Sequence, residues 1–268
     1  DPHEISHQSH HLPMNVAEKV FTCFDLLKHI LSFFHYPRIF STRSINGQLG
    51  DDFSYSGAVA VGNKIIFIPD ECDAIGILDT VKAQQEASRM ATVPLGGFGR
   101  SDVMRLFKGA AVIGNSVYCA PFDANIIGVY NTAANYGQGE FSTISFNDIM
   151  LNMPGKFDGC VALGTKVYFT PCCSHEILVL DTAAPAGQPR LATISTGMST
   201  SFKFSGSSVV GTKIVFPPYD ADCIGILDTT ANAGAGAFST FSLQGVVTGD
   251  RKFSGSAVVG GKVYFVPH

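Results

Sequence analysis

The sequence predicts an all-β fold, a five-bladed β-propeller with four-stranded antiparallel blades. Two observations predict it: a unit of about fifty residues recurs along the chain, and its fifth copy is divided between the two ends. The recurring unit begins at Tyr55 (YSGAVAVGNKIIFIP), Phe107 (FKGAAVIGNSVYCAP), Phe157 (FDGCVALGTKVYFTP), Phe204 (FSGSSVVGTKIVFPP) and Phe253 (FSGSAVVGGKVYFVP). Each copy has an aromatic residue, a Gly two positions later, an apolar stretch, a second Gly, and an apolar run closed by Pro. The first glycines (Gly57, Gly109, Gly159, Gly206, Gly255) are spaced by 52, 50, 47 and 49 residues.

Within a unit, four short apolar runs bounded by Gly, Pro, Asn and Asp read as strands a to d. Strands a and b flank the second glycine (Gly62, Gly114, Gly164, Gly211, Gly260), which belongs in a tight hairpin turn. Strand c is the run IGILDT (75–80), IGVYNT (127–132), ILVLDT (177–182) or IGILDT (224–229). Its terminal Asp-Thr step reads as a turn capped by side chains. Strand d carries Thr92, Thr143, Thr193 or Thr240 at matched positions. The fifth unit supplies only a and b (252–267). VFTCFD (20–25) and RIFSTRSI (38–45) match its missing c and d. A ring gains two strand pairs from such a split and loses its exposed sheet edges, so closure is expected through one shared blade. The expected organisation is a flexible tail over 1–15 and one propeller domain over 16–268. Its closing blade is 16–52 with 252–268, and the others span about 53–104, 105–154, 155–201 and 202–251.

Composition limits the partners. The net charge of −4 and pI of 6.0 give no basic field for nucleic acid. No apolar run approaches the ~20 residues of a membrane span. Only 15% of residues are charged and mean hydropathy is +0.21, which suits a surface rich in Ser, Thr, Asn and Gly, a surface partly held against something else, or both. The seven cysteines follow no metal-ribbon spacing, and their odd number leaves at least one without an intramolecular partner, which leans towards a reducing compartment.

The pattern F-S-G-x-x-V-x-G-x-K-[IV]-x-F-x-P…[IV]-G-[IV]-L-D-T resembles the multi-copy propeller repeats of unicellular algae and other protists. More distantly it is similar to kelch-type and virginiamycin-lyase-like units. The resemblance covers about 250 residues and implies the fold. Virginiamycin-lyase-like enzymes use seven shorter blades and a metal-assisted His/Glu site, and no residue here matches that site.

Strand alternation brings the b–c loops and the d–a connections to one face. Asp70, Asp73, Asp123, Asn125, Asp220 and Asp222 of the b–c loops form a polar ring there, a candidate site for a cation, a sugar or a basic peptide. The same residues are turn formers whose side chains bond nearby amides. The third unit breaks the acidic pattern with Cys172-Cys173-Ser174-His175-Glu176. Cys172, Cys173 and His175 are the nearest approach to a soft-metal set, but adjacent cysteines are expected to point apart, so no metal is assigned. Lys108 and Asp158 are the only charges between a strand-a aromatic and its glycine. One channel Asp does not make the carboxylate pair that glycosidases need.

A second asymmetry lies between strands c and d of the closing blade. Leu26–Tyr36 is apolar where other units carry small polar residues, and Leu27, Ile30, Leu31, Phe33, Phe34 and Tyr36 either pack onto the propeller's own bottom face or form a candidate partner-binding surface. No catalytic residue and no cofactor is assigned. The expected function is a non-catalytic interaction or accessory module, a peripheral subunit of a larger assembly with a protein partner. A lectin-like propeller binding carbohydrate or cation once per blade is the alternative, and a hydrolase or lyase at the channel mouth is the third.

Overall fold

Short β-rich runs punctuated by Gly and Pro fold into up-and-down antiparallel sheets, one per repeat. The structure, a computed structural model, describes residues 55–81, 90–97, 105–146, 153–185, 190–232 and 236–268. All belong to the unit Ile45–His268. The strands expected at 20–25 and 38–45, the tail 1–15 and the segment Leu26–Tyr36 lie outside the described residues.

The first sheet contains β1 (Tyr55–Val61), β2 (Lys64–Pro69), β3 (Ala74–Asp79) and β4 (Ala91–Pro94). The second contains β5 (Phe107–Ile113), β6 (Ser116–Pro121), β7 (Ile126–Asn131) and β8 (Glu140–Ser145). The third contains β9 (Phe157–Leu163), β10 (Lys166–Pro171), β11 (Glu176–Asp181) and β12 (Leu191–Ser195). The fourth contains β13 (Ser208–Val210), β14 (Lys213–Phe216), β15 (Cys223–Asp228) and β16 (Ala237–Ser242). In each of these sheets the strands pair in sequence order. The fifth repeat is the hairpin of β17 (Phe253–Val259) and β18 (Lys262–Pro267). The described residues thus form four four-stranded sheets and one two-stranded pair.

The turn glycines sit where the repeat puts them. Gly62, Gly114, Gly164, Gly211 and Gly260 open two-residue hairpin turns at φ of +58°, +59°, +61°, +60° and +56°, a conformation that costs a Cβ-bearing residue about 1 kcal/mol or more. The Asp-Thr turns also form as expected. In the third unit the Asp181 carboxylate accepts from the Ala183 amide (3.0 Å), and the Thr182 hydroxyl donates to the Thr165 carbonyl (2.7 Å).

Sheet-to-sheet packing follows from strand a. Its aromatic residue is buried against strand c, whose glycine makes room: a Cβ would lie 3.0 Å from the Phe107 ring at Gly128 and 2.8 Å from the Phe204 ring at Gly225. Phe107, Phe157 and Phe204 are fully buried, each in the apolar core between its own sheet and the preceding one. Next to the aromatic, strand a bulges, with its register shifting between Phe107 and Ala110 and between Phe253 and Ser256. The bulge carries the first glycine of the repeat, and here backbones nearly touch. A Cβ at Gly109 would come within 3.3 Å of the Gly159 Cα, at Gly159 within 3.4 Å of Gly206, and at Gly206 within 3.3 Å of Gly255. Space at the convergence of the sheets is therefore limited to hydrogen atoms.

Among the described residues the line of glycine contacts stops at Gly255, where a Cβ would meet nothing within 4 Å. The fifth hairpin is also uncovered on one side. Tyr264 and Val266 are 54% and 50% exposed, whereas Tyr118, Tyr168, Ile68 and Ala120 at the same repeat positions are buried.

Gly109→Ala and Gly159→Ala should each lower unfolding free energy by about 2–3 kcal/mol, combining positive-φ strain with a backbone clash. Gly57→Ala, at ordinary φ and with its nearest contact at 3.7 Å, should cost less than about 1 kcal/mol. Urea denaturation of the three variants measures the difference, and equal losses would mean that the glycines do not set the spacing.

Candidate functional site

The expected loop face is present, and its frame is a run of backbone hydrogen bonds. The residue after each strand-b proline and the residue before each strand-a aromatic alternate along it. The Leu106 amide donates to the Asp70 carbonyl (2.7 Å), Phe122 to Leu106 (3.0 Å), Lys156 to Phe122 (2.8 Å) and Cys172 to Lys156 (2.9 Å). Lys203 then donates to Cys172 (3.0 Å), Tyr219 to Lys203 (2.8 Å), Lys252 to Tyr219 (2.8 Å) and His268 to Lys252 (3.2 Å). Eight bonds stitch five repeats without a break.

Three residues of this belt are buried lysines that the repeat reading did not single out. Lys156 and Lys203 are fully buried and Lys252 nearly so. The Lys156 ammonium donates to the carbonyls of Met153 (2.6 Å) and Asp123 (3.0 Å). Lys203 repeats the arrangement with Thr200 (2.7 Å) and Cys173 (3.5 Å), and Lys252 with Asp220 (3.1 Å). Each lysine therefore ties its own d–a connection to the b–c loop of the preceding repeat. Burial lowers the Lys156 pKa to about 8, an effect the Asp123 charge partly opposes, and burial lowers Lys203 in the same way. The sequence signal was a Lys immediately before the strand-a aromatic in three of five copies.

The predicted carboxylates lie on this face but reach across to the next repeat. Asp70 is buried and pairs with Arg105 (3.0 Å). The Asp123 carboxylate accepts from the Gly155 amide (2.8 Å), and Asp220 from the Arg251 amide (2.8 Å). Exposed Asp222 lies 3.2 Å from the Lys252 ammonium. The backbone carbonyl of Asp73 accepts from Leu95 (3.0 Å), and half-buried Asn125 sits one position after Ala124 in the second loop. Lys108 and Asp158 form an ion pair of 2.6 Å between the second and third sheets, with Lys108 also 5.3 Å above the Phe122 ring.

The third loop departs from the others. His175 is exposed while Cys172 and Cys173 are buried, so the three do not face one point. Among the described residues no group of three His, Cys, Asp or Glu side chains converges as a metal site would. Both cysteines are free thiols, and each shifts the other's titration. Cys173 is lowered to about 6, first by the Cys172 thiol and then by the Phe202 amide, the Lys203 ammonium and the Ser201 hydroxyl, against burial. Cys172 is raised well above the usual thiol range by the neighbouring Cys173 and by burial.

Above Cys173 a recess of about 410 Å³ opens between the loops of the second, third and fourth repeats. Phe122, Met153, Pro154 and Phe202 make it apolar, with Asp123 and Ser201 as polar edges. Phe202 is 47% exposed and adopts φ +50°. Its carbonyl is held by the Asp220 amide (2.9 Å), and the Lys203 amide that follows it is held by the Cys172 carbonyl (3.0 Å). The backbone is thus pinned on both sides in a region that non-glycine residues avoid.

No family model matches this sequence, and no curated protein matches it. Among solved structures the chain is similar to virginiamycin B lyase from Staphylococcus aureus, with a TM-score of 0.59 and 12% identity over 81% of this chain and 64% of that one. A streptogramin B lyase gives a TM-score of 0.58 and 14% identity over 78% and 61%. These likenesses establish the class, a β-propeller fold. The chain spans less than two thirds of the length of either lyase.

The buried lysines predict a specific pH effect. A lysine titrating near 8 in the folded chain and near 10.5 unfolded binds fewer protons folded, so its contribution to stability rises with pH between those values. The unfolding free energy of wild type relative to Lys156→Met should therefore shift in favour of wild type by on the order of 2 kcal/mol from pH 8 to pH 10. Taking the difference cancels the cysteine and tyrosine contributions shared by both proteins. A flat difference would mean that Lys156 is not held in a desolvated site.

Proposed function

We propose that this chain is a non-catalytic interaction module whose loop-face recess takes an apolar or aromatic side chain of a protein partner. The observation that carries the reading is Phe202, an aromatic held half-exposed at positive φ on the rim of an apolar recess. Strain in an exposed aromatic is retained where the surrounding structure imposes it, and such residues cluster at binding sites. The loop carboxylates support the same reading: Asp70, Asp123, Asp220 and Asp222 engage the neighbouring repeat. The segment Leu26–Tyr36 is proposed as a second contact surface, from its six large apolar side chains.

Selection of a displayed peptide library on the immobilised full chain should enrich peptides with an aromatic or aliphatic anchor. Phe202→Ser should weaken the selected peptide at least ten-fold, since burying one large side chain contributes roughly 1.5–3 kcal/mol. Its melting temperature should stay that of the wild type. Ile30→Ser with Phe34→Ser in the same assay tests the second surface. An unchanged affinity on Phe202→Ser, or a selection that returns no peptide, would remove the recess from consideration.

We further propose that the propeller has five blades and closes through strands at 20–25 and 38–45 added to the fifth hairpin. The reading is supported by the fifth repeat's having only the pair β17–β18 among the described residues, while 20–25 and 38–45 carry the c and d patterns that this repeat lacks. Deleting residues 1–50 should lower the melting temperature and broaden the transition, while deleting 1–12 should leave both unchanged. Identical melting of the full and 51–268 chains would count against closure by these strands.

A further inference from the structure

We propose that Cys173 is a site of reversible thiol–disulfide exchange with low-molecular-weight disulfides entering the loop-face recess, with Cys172 as the resolving thiol. It stands apart from what the recess recognises in a protein partner.

Four features of the geometry carry this. First, the Cys173 sulfur is reached from the recess and not from bulk solvent: the residue is 8% exposed yet lines a cavity of about 410 Å³, a volume that takes a small-molecule ligand. Second, Gly155 keeps that approach open, since a Cβ there would lie 3.1 Å from the Cys173 Sγ. Third, the next repeat's connection closes on this residue: the buried Lys203 ammonium donates to the Cys173 carbonyl (3.5 Å), and the Phe202 amide, the Lys203 charge and the Ser201 hydroxyl all favour its thiolate. The other charges nearby are Lys108 and Asp158, which both act on Cys172, and Asp123 on the wall of the recess. Fourth, the second thiol is the neighbouring residue, buried and outside the lining of the recess, so an entering disulfide meets Cys173 first, while Cys173 and burial keep Cys172 protonated. An accessible thiol of lowered pKa beside a buried, protonated partner is the arrangement that separates attacking from resolving sulfur in dithiol exchange.

The exchange balances as two displacements. The Cys173 thiolate attacks one sulfur of the disulfide RSSR, forming a Cys173–SR bond and expelling RS⁻. Cys172 gives up its proton and attacks the Cys173 sulfur, expelling the second RS⁻ and leaving a Cys172–Cys173 disulfide. Two electrons pass from the dithiol to RSSR, and the proton lost by each thiol ends on a released RSH. Adjacent Cα atoms lie about 3.8 Å apart, below the range of relaxed disulfides, so the product is strained and readily reduced. The step is therefore reversible by any small thiol.

The test uses the full folded chain and the aromatic disulfide 5,5′-dithiobis(2-nitrobenzoate), with released thiolate followed by absorbance and adducts by intact mass and peptide mapping. Wild type should release two thiolates in its fast phase, retain no adduct there, and map the new disulfide to residues 172 and 173. Cys172→Ser should release one and keep the adduct on Cys173. Cys173→Ser should lose the fast phase, with a rate at least ten-fold lower. The wild-type rate should follow a titration near pH 6, the value set by the surrounding groups, whereas an ordinary thiol titrates near 8.5. The proposal fails if Cys173→Ser reacts as fast as wild type, if the rate titrates above pH 8, or if the fast adduct maps to another cysteine. Retention of the adduct by wild type would overturn the resolving role of Cys172. Should a variant not fold, peptide mapping and the pH profile of wild type decide alone.

Discussion

The belt of backbone hydrogen bonds on the loop face is the constraint from which the rest of this propeller follows. Leu106, Lys156, Lys203 and Lys252 each accept and donate on it, and each immediately precedes a strand-a aromatic. Fixing that residue sets where the aromatic enters the core between sheets and where the following glycine meets its neighbour. A displacement at the belt would therefore appear twice more: at Phe107, Phe157 or Phe204 in the apolar core, and at the 3.3–3.4 Å approaches from Gly109, Gly159 and Gly206. Close-packed interiors tolerate little of either.

The belt also explains why lysine occurs in so dry a place. An unpaired buried ammonium is costly, but Lys156, Lys203 and Lys252 each meet carbonyls that strand geometry leaves unused at the loop. Desolvation still lowers Lys156 and Lys203, so the lysines act as inter-repeat ties at some cost in charge solvation. In the second repeat the position is Leu106, and Arg105 beside it reaches Asp70 instead. The tie is kept while its chemistry changes.

Repeat spacing made much of the fold legible. Hairpin turns, Asp-Thr caps and the matched Thr of strand d all follow from local chemistry: a glycine at positive φ, a carboxylate reaching an amide two residues on, and β-branched residues at fixed offsets. The strand-c glycines were visible as letters, but their reason, an aromatic ring within 3.0 Å of a would-be Cβ, is a contact between distant positions. The loop carboxylates were legible as residues of one face. Their partners were not, because Arg105, Gly155 and Arg251 lie 31–35 positions away, outside any local motif. The lysines escaped notice for a related reason: beside an aromatic and near a turn, Lys reads as a solvated flank until the belt buries it.

The third repeat shows how one departure in such a frame produces a site. Cys172 stands on the belt, donating to Lys156 and accepting from Lys203, so its backbone is as fixed as that of Phe122 or Tyr219 at the same position. Fixing Cys172 fixes Cys173, whose amide is held by the Gly155 carbonyl (2.9 Å). Besides Cys172, the groups that lower Cys173 come from the next repeat's connection, Ser201 to Lys203. Phe202 is forced outward by the same bonds. Thiolate, recess and strained aromatic therefore have one origin: placing two small polarizable side chains at a junction where the other repeats put larger or charged ones, while the belt keeps its length.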